Sequence, residues 1–177
     1  LNARARSTLE QIDATIKSVR QIINDLRPTV LDLGVNAAVE WQVAQFRLRT
    51  GIACEVSESH DDICLSDQCA TALFRILQES LSNISQHANA SRVQVKLEKC
   101  RDTVSMSVSD NGVGAAIDGR NKLGSFGLVG IEERIKLLGG TFYIESSPGA
   151  GMSVHVSVPL GADATAFPCQ EDGRASA

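Results

Sequence analysis

Two alternating stretches, Val93-Val95-Leu97 and Val104-Met106-Val108, flank the polar run Lys99–Asp102, and the second leads into Asp110-Asn111-Gly112-Val113-Gly114. Period-two alternation predicts strands with one buried face, and so short a polar connection predicts an antiparallel hairpin. The chain must therefore build a sheet around this hairpin and cover one side of it.

The remaining segments supply that cover. Ser66 or Asp67 is expected to cap a helix whose apolar positions are Leu73, Leu77, Leu81, Ile84 and Ala88. Upstream, Gly34-Val35-Asn36 reads as a turn with Asn36 as N-cap. The helix after it is expected to bury Ala37, Trp41, Ala44 and Leu48 and to stop at Gly51. Ile52, Cys54 and Val56 alternate as a short strand before an acidic loop that runs through Asp62. After the glycine turn, 115–126 is irregular, and a helix is expected from Leu128 to Leu138, ending at Gly139-Gly140. A strand pair follows over 141–145 and 152–158. The predicted class is α+β: a mixed, mostly antiparallel sheet with helices on one face.

At the start of the chain, Leu9, Ile12, Ile16, Val19, Ile23 and Leu26 are spaced 3-4-3-4-3. That is the seam of a helix packing on a partner helix, and Pro28 interrupts it. Residues after Leu160 lack periodicity and read as a frayed tail. The boundaries expected are 1–28 for the seam helix, 29–160 for the main domain and 161–177 for the tail.

The 177 residues include 43% hydrophobic and 21% charged, with a net charge of −4, so no broad basic surface suggests nucleic acid. No run approaches the roughly 20 apolar residues of a membrane span. Five cysteines without a C-x-x-C pair read as reduced thiols of the cytoplasm. Leu1 follows no basic and apolar leader, and the chain is read as a fragment.

Glu79, Asn83 and His87 recur every four residues on the third expected helix. At about 100° per residue they form a slowly drifting polar row, roughly 120° from the apolar stripe. An amide oxygen is a hard ligand suited to Mg²⁺, and a carboxylate can orient a water or take a proton. Asp110 ends a strand and accepts hydrogen bonds only, so it can receive the exocyclic amine of adenine. Gly112 and Gly114 allow positive φ and close approach of a flat ring. Gly124, Gly127 and Gly130 lead a helix whose free N–H groups favour phosphate, although the spacing is neither a P-loop nor a dinucleotide fingerprint.

In this order the motifs resemble the ATP-binding domain of the gyrase, Hsp90, histidine kinase and MutL superfamily. Within it they are most similar to bacterial sensor histidine kinases of the nitrate-sensor type. Leu26-Arg27-Pro28-Thr29-Val30-Leu31-Asp32-Leu33-Gly34 resembles that subfamily's signature after its dimerisation hairpin. Gln78–Ala88 resembles its N box, and 127–134 through Leu138-Gly139-Gly140 its second glycine box. The resemblance implies a two-layer α/β sandwich (the Bergerat fold), preceded here by one helix of the hairpin. It implies ATP and Mg²⁺ as ligands, Asp110 on the adenine amine, Asn83 on Mg²⁺ and Glu79 as catalytic base. His87 would lie near the phosphates, and Gly112, Gly114, Gly124, Gly127, Leu128 and Gly130 would frame the pocket and its lid. Arg120 and Lys122 fall in that lid and read more readily as a solvated loop than as phosphate ligands.

The implied function is transfer of the ATP γ-phosphoryl to a histidine of a homodimer, for relay to a response regulator receiver domain. The implied setting is cytoplasmic, with upstream segments able to anchor the whole protein in the inner membrane; no direct membrane contact of these residues is expected. Two departures keep alternatives open. Met152 follows Gly149-Ala150-Gly151 where the family usually has Thr, and Ser153 is expected to face the other way. Of the three histidines, His87 belongs to the N-box row, while His60 lies in a polar loop and His155 in a strand pattern, neither a helical acceptor context, so the acceptor is expected outside these residues. The alternatives are a non-catalytic nucleotide-binding and dimerisation module, or a serine kinase of the anti-sigma type on the same fold.

Overall fold

The computed structural model describes residues 28–59, 63, 65–115 and 126–160, and for 126–131 the backbone alone. The N-terminal seam, His60, Arg120, Lys122, Gly124 and the tail lie outside the described residues.

Among the described residues, five strands form one sheet: β1 (Ala53–Glu58), β2 (Arg92–Cys100), β3 (Thr103–Asp110), β4 (Thr141–Ser146) and β5 (Met152–Pro159). Their order is β1-β2-β3-β5-β4. The β1–β2 pair is parallel and the others antiparallel. Among the described residues, three helices cover one face: α1 (Val35–Thr50), α2 (Asp67–Asn83) and α3 (Phe126–Leu137). A parallel pair needs a crossover, and α2 provides it between β1 and β2. α2 rests on β3 and β5, with α1 and α3 on either side of it.

Alternation decides which face is covered. Val93, Val95, Leu97, Val104, Met106, Val108, Val154, Val156 and Val158 are buried under the helices. Gln94, Lys96 and Glu98 point the other way and are exposed. Each buried aliphatic side chain contributes roughly 1.5–3 kcal/mol, which holds the helical layer on this face. The β2–β3 turn is tighter than the sequence suggests. Cys100 pairs with Thr103, leaving only Arg101 and Asp102 between, with Arg101 at φ +42°.

Ser66 is the cap of α2, its Oγ accepting the Cys69 N–H at 3.3 Å. Leu73, Ile76, Leu77 and Leu81 are fully buried. The helix then widens into a π turn, Ile84–Ala88, which Asn89 ends at φ +49°. α3 starts two residues earlier than expected. Gly139 (φ +74°) and Gly140 end it in a Schellman arrangement, with N–H bonds to the carbonyls of Lys136 (3.0 Å) and Ile135 (2.9 Å).

The expectation for α1 needs correction. Its core face is Val35, Ala38, Val39, Val43 and Phe46, whereas Trp41 and Leu48 are exposed. Gly34, not Asn36, occupies the cap position, at φ +91°. Asn36 lies inside the helix and hydrogen-bonds the Glu58 carboxyl. α1 carries apolar residues on both sides, so its periodicity cannot say which side meets the sheet. The stop at Gly51 is as expected: φ is +71° and its N–H reaches the Arg47 carbonyl at 2.9 Å.

Candidate functional site

Asp110 is the last residue of β3 and alternates in phase with buried Val104, Met106 and Val108, so it faces the helical layer at the sheet's end. It is half-buried. Desolvation raises its carboxyl above the usual range, and hydrogen bonds from the Gly112 and Met152 N–H groups partly offset this. The Gly112 N–H donates to Asp110 Oδ1 at 2.7 Å. A carboxylate has about four lone-pair sites, so two fixed protein donors leave acceptor capacity for a ligand.

The turn after Asp110 is bolted down on all sides. The Val113 N–H donates to the Ala88 carbonyl at 2.8 Å, and the Val113 carbonyl accepts from Gly149 N–H at 2.7 Å. Ser146 Oγ accepts from Ala115 N–H at 2.8 Å and donates to the Gly151 carbonyl at 2.9 Å. Asn111 Oδ1 accepts the N–H groups of Ser91 (3.0 Å) and Arg92 (2.9 Å), while its Nδ2 donates to Ser91 Oγ at 3.0 Å. Sequence reasoning gave Asn111 no role beyond that of a turn residue. The structure makes it the clamp between the Asp110 turn and the start of β2.

Of the two glycines expected to use positive φ, Gly114 does so and Gly112 does not. Gly112 is not at positive φ; a Cβ there would overlap the Ala88 carbonyl. Gly114 is at φ +59°, and a Cβ would strike the Ser147 carbonyl. Gly151 is at φ +78°, and a Cβ would strike the Asp110 carbonyl. Protein backbone makes these close approaches, and they draw three distant turns together beneath Asp110.

Ala88 links this turn to the polar row. Glu79 and Asn83 lie half-buried along the second half of α2, and Asn83 is its last residue. His87 sits in the π turn, exposed, one residue before the carbonyl that receives Val113. Because the π turn is wider than an α turn, His87 does not continue the straight row that constant 100° steps imply. Gly127, Leu128 and Gly130 fall in the first half of α3, which packs against α2. Among the described residues, no three His, Cys, Asp or Glu side chains gather as a metal cage. Asn83 and Glu79 offer hard oxygens that fit a Mg²⁺ shared with phosphates, since that ion keeps few protein ligands. No helix among the described residues is long and apolar enough to cross a membrane.

Ser153 faces the open side of the sheet, where its hydroxyl bonds Ser109 Oγ at 2.9 Å. It does not stand in for the missing threonine. Met152 is the register partner of Asp110 and lies on the same face. Its side chain cannot donate a hydrogen bond, but its backbone N–H does.

Residues 69–162 match the family model described as histidine kinase-, DNA gyrase B-, and HSP90-like ATPase. The chain is 35% identical over 156 residues to the signal transduction histidine-protein kinase/phosphatase DegS of Brevibacillus brevis, covering 88% of this chain and 40% of that protein. It is 32% identical over 146 residues to the oxygen sensor histidine kinase NreB of Staphylococcus carnosus, covering 82% and 42%. The chain thus spans well under half the length of these relatives. In fold, it is similar to the histidine kinase domain of the blue-light activated kinase of Erythrobacter litoralis, with TM-score 0.57 and 22% identity over 74% of this chain and 63% of that one.

Proposed function

We propose that this chain, which belongs to the histidine kinase-, DNA gyrase B- and HSP90-like ATPase family, is the ATP-binding catalytic part of a two-component sensor histidine kinase. The observation that carries this reading is the Asp110 carboxylate. It is half-buried, oriented by the Gly112 and Met152 N–H groups, and left with spare acceptor capacity at the edge of the helical layer. Those are the properties needed to receive an adenine amine and to discriminate against a ring presenting an acceptor there.

Within this reading Asn83 holds Mg²⁺, which neutralises phosphate charge when bound, and Glu79 is the base. The γ-phosphorus–oxygen bond to the β-phosphate breaks as an imidazole nitrogen–phosphorus bond forms. Glu79 takes the imidazole proton and ADP leaves. Catalysis is mainly positioning and charge stabilisation. In this reading His87, Gly124, Gly127, Leu128 and Gly130 serve the phosphates. The acceptor is a histidine on a dimerisation helix of the longer protein, which is a homodimer in the cytoplasm. The phosphoryl group passes on to a response regulator receiver domain.

Titration of a fluorescent ATP analogue with Mg²⁺ tests the binding half of this reading; saturable binding below millimolar ligand is expected, and its absence counts against it. Glu79→Ala in the longer protein tests the chemical half. Retained nucleotide binding with lost phosphohistidine formation is expected. A longer protein that forms no phosphohistidine before any substitution would instead favour the non-catalytic module, the reading to which Met152 lends weight.

A further inference from the structure

The two edges of the sheet are guarded differently. Strand order leaves β1 and β4 outermost, each with one side unpaired among the described residues. An edge strand offers a row of backbone N–H and C=O groups to any extended chain, and natural edges are blocked by lysine, proline, a bulge or an inward-pointing charge. β1 has such a charge. Glu58 lies in phase with buried Cys54 and so faces the helical layer, and Glu55 adds a second charge on the open face. β4 has no such guard. Its six residues include no lysine or proline, and its one-to-one register with β5 leaves no bulge. Phe142 and Ile144 pair with buried Val156 and Val154 but stay only half-buried themselves, and Tyr143 is 53% exposed.

We propose that β4 pairs antiparallel with β4 of a second copy of this chain, about a twofold axis through Tyr143. A twofold contact uses the same strand from both sides and therefore closes on itself. Side chains keep their faces only when the axis passes through a residue, because a half-step sets each face against its opposite. With the axis at 143, Tyr143 meets its own copy on the open face. On the helical side Phe142 meets Ile144 of the second copy, and Ile144 meets the second copy's Phe142. Thr141 meets Glu145 of the second copy, so the two glutamates stay apart. An axis at 144 would set Tyr143 against Glu145, and one at 145 would set Glu145 against itself. An axis at 142 would leave Ile144 opposite Gly140, outside the strand. Aromatic and apolar cross-strand pairs stabilise a sheet and facing like charges destabilise it, so β4 is best matched to itself at 143.

The central residue is already ordered for this contact. The Tyr143 ring stacks on His155, with centroids 4.6 Å apart and planes 10° from parallel, so little side-chain freedom is lost on pairing. Glu145 Oε2 lies 3.6 Å from His155 Nε2, yet Glu145 remains 70% exposed and open to a cross-strand neighbour. A pair of six-residue strands is small beside the roughly 1,200–2,000 Å² of stable interfaces, so the association is weak and reversible. This inference does not rest on the nucleotide reading.

Sedimentation equilibrium of the native chain beside Thr141→Lys, Thr141→Glu and Ser57→Lys tests both the edge and its register. Thr141, Glu145 and Ser57 are exposed, so these changes leave the core intact. Positions 141 and 145 lie roughly 13 Å apart along one strand, so a lysine at 141 reaches Glu145 only across the edge pair. The twofold axis makes that contact twice. Thr141→Lys is therefore expected to tighten self-association roughly two- to thirtyfold, and Thr141→Glu to weaken it by a similar factor. Adding Glu145→Lys to Thr141→Glu is expected to restore it. Ser57→Lys makes the same charge change on the other edge and is expected to have no effect. Association through any other surface is common to all the chains and does not change their order. Equal association of the two Thr141 variants would overturn the proposal, as would a Ser57→Lys effect as large as that of Thr141→Lys. So would a Thr141→Lys chain that shows no added association at millimolar concentration.

Discussion

The backbone N–H of Met152 bonds the carboxylate of Asp110, its register partner across the β3–β5 pair. A threonine at 152 would add a hydroxyl to this arrangement, while the main-chain contact needs no particular side chain. The departure at 152 therefore removes one polar group and leaves the orientation of Asp110 intact.

Met152→Thr is expected to tighten nucleotide binding. One hydrogen bond is worth about 0.5–1.5 kcal/mol, or roughly two- to tenfold in Kd. Titration with a fluorescent ATP analogue reads the change, and an unchanged or weaker Kd would show that the hydroxyl has no part in this pocket.

Asp110 should make both binding and stability depend on pH. Burial raises its folded-state carboxyl above the ordinary value. Its contribution to stability is therefore full below the unfolded carboxylate pKa and is lost as pH rises through the raised folded value. Relative to Asp110→Asn, the native chain should gain stability as pH falls from neutral into the acid range, as read from thermal melts. Nucleotide affinity should run the other way. It falls with pH because a protonated carboxyl is a poorer acceptor for the adenine amine, and Asp110→Asn should flatten that dependence.

Gly149 and Gly151 separate backbone strain from collision. Their φ values are nearly equal, +77° and +78°, but a Cβ at 149 meets nothing within 4 Å, whereas at 151 it strikes the Asp110 carbonyl. Gly149→Ala should cost about 1–2 kcal/mol, the penalty for a left-handed L-residue. Gly151→Ala should cost at least ~2 kcal/mol more, because main chain cannot step aside as a side chain does. Denaturant unfolding measures both, and equal costs would mean that the strand end yields freely.

Asn111→Ala removes a clamp of three hydrogen bonds. The site is solvent-exposed, so water partly replaces them and the expected loss is about 1–3 kcal/mol. Asn111→Asp keeps both acceptor contacts to the Ser91 and Arg92 N–H groups and should recover most of that loss. Equal losses in the two variants would place the weight on the single Nδ2–Ser91 contact.

The described cysteines should separate by reactivity. Burial pushes the Cys54 thiol up to about 11, Cys69 is also buried, and Cys100 is exposed. The thiolate is the reactive form, so at neutral pH Cys100 should be alkylated well before Cys54 or Cys69. Mass-spectrometric mapping of partially labelled protein checks the order; early labelling of Cys54 would indicate that β1 opens readily.

Much of the fold can be read directly from the chain because its rules are local. Val93, Val95 and Leu97 are buried as their alternation requires, since the pleat sends successive side chains to opposite faces. Ser66 caps α2 and Gly51 ends α1 because hydroxyl and glycine chemistry act within a few residues. Asp110 stands at a strand end, as its position after an alternating run implies. The lid positions Arg120, Lys122 and Gly124 lie outside the described residues, so their expected roles stand as proposals.

Other features depend on contacts made far along the chain. Nothing near Gly112 announces that the Ala88 carbonyl will fill the space where a side chain would go, and nothing near Asp110 announces the Met152 N–H. The π turn moves His87 off a row that ideal helical steps would have kept straight. α1 is the clearest case. Periodicity identifies both of its apolar stripes equally well, and only the competition for the space against α2 and β1 sends Val39, Val43 and Phe46 inward while Trp41 and Leu48 stay outside.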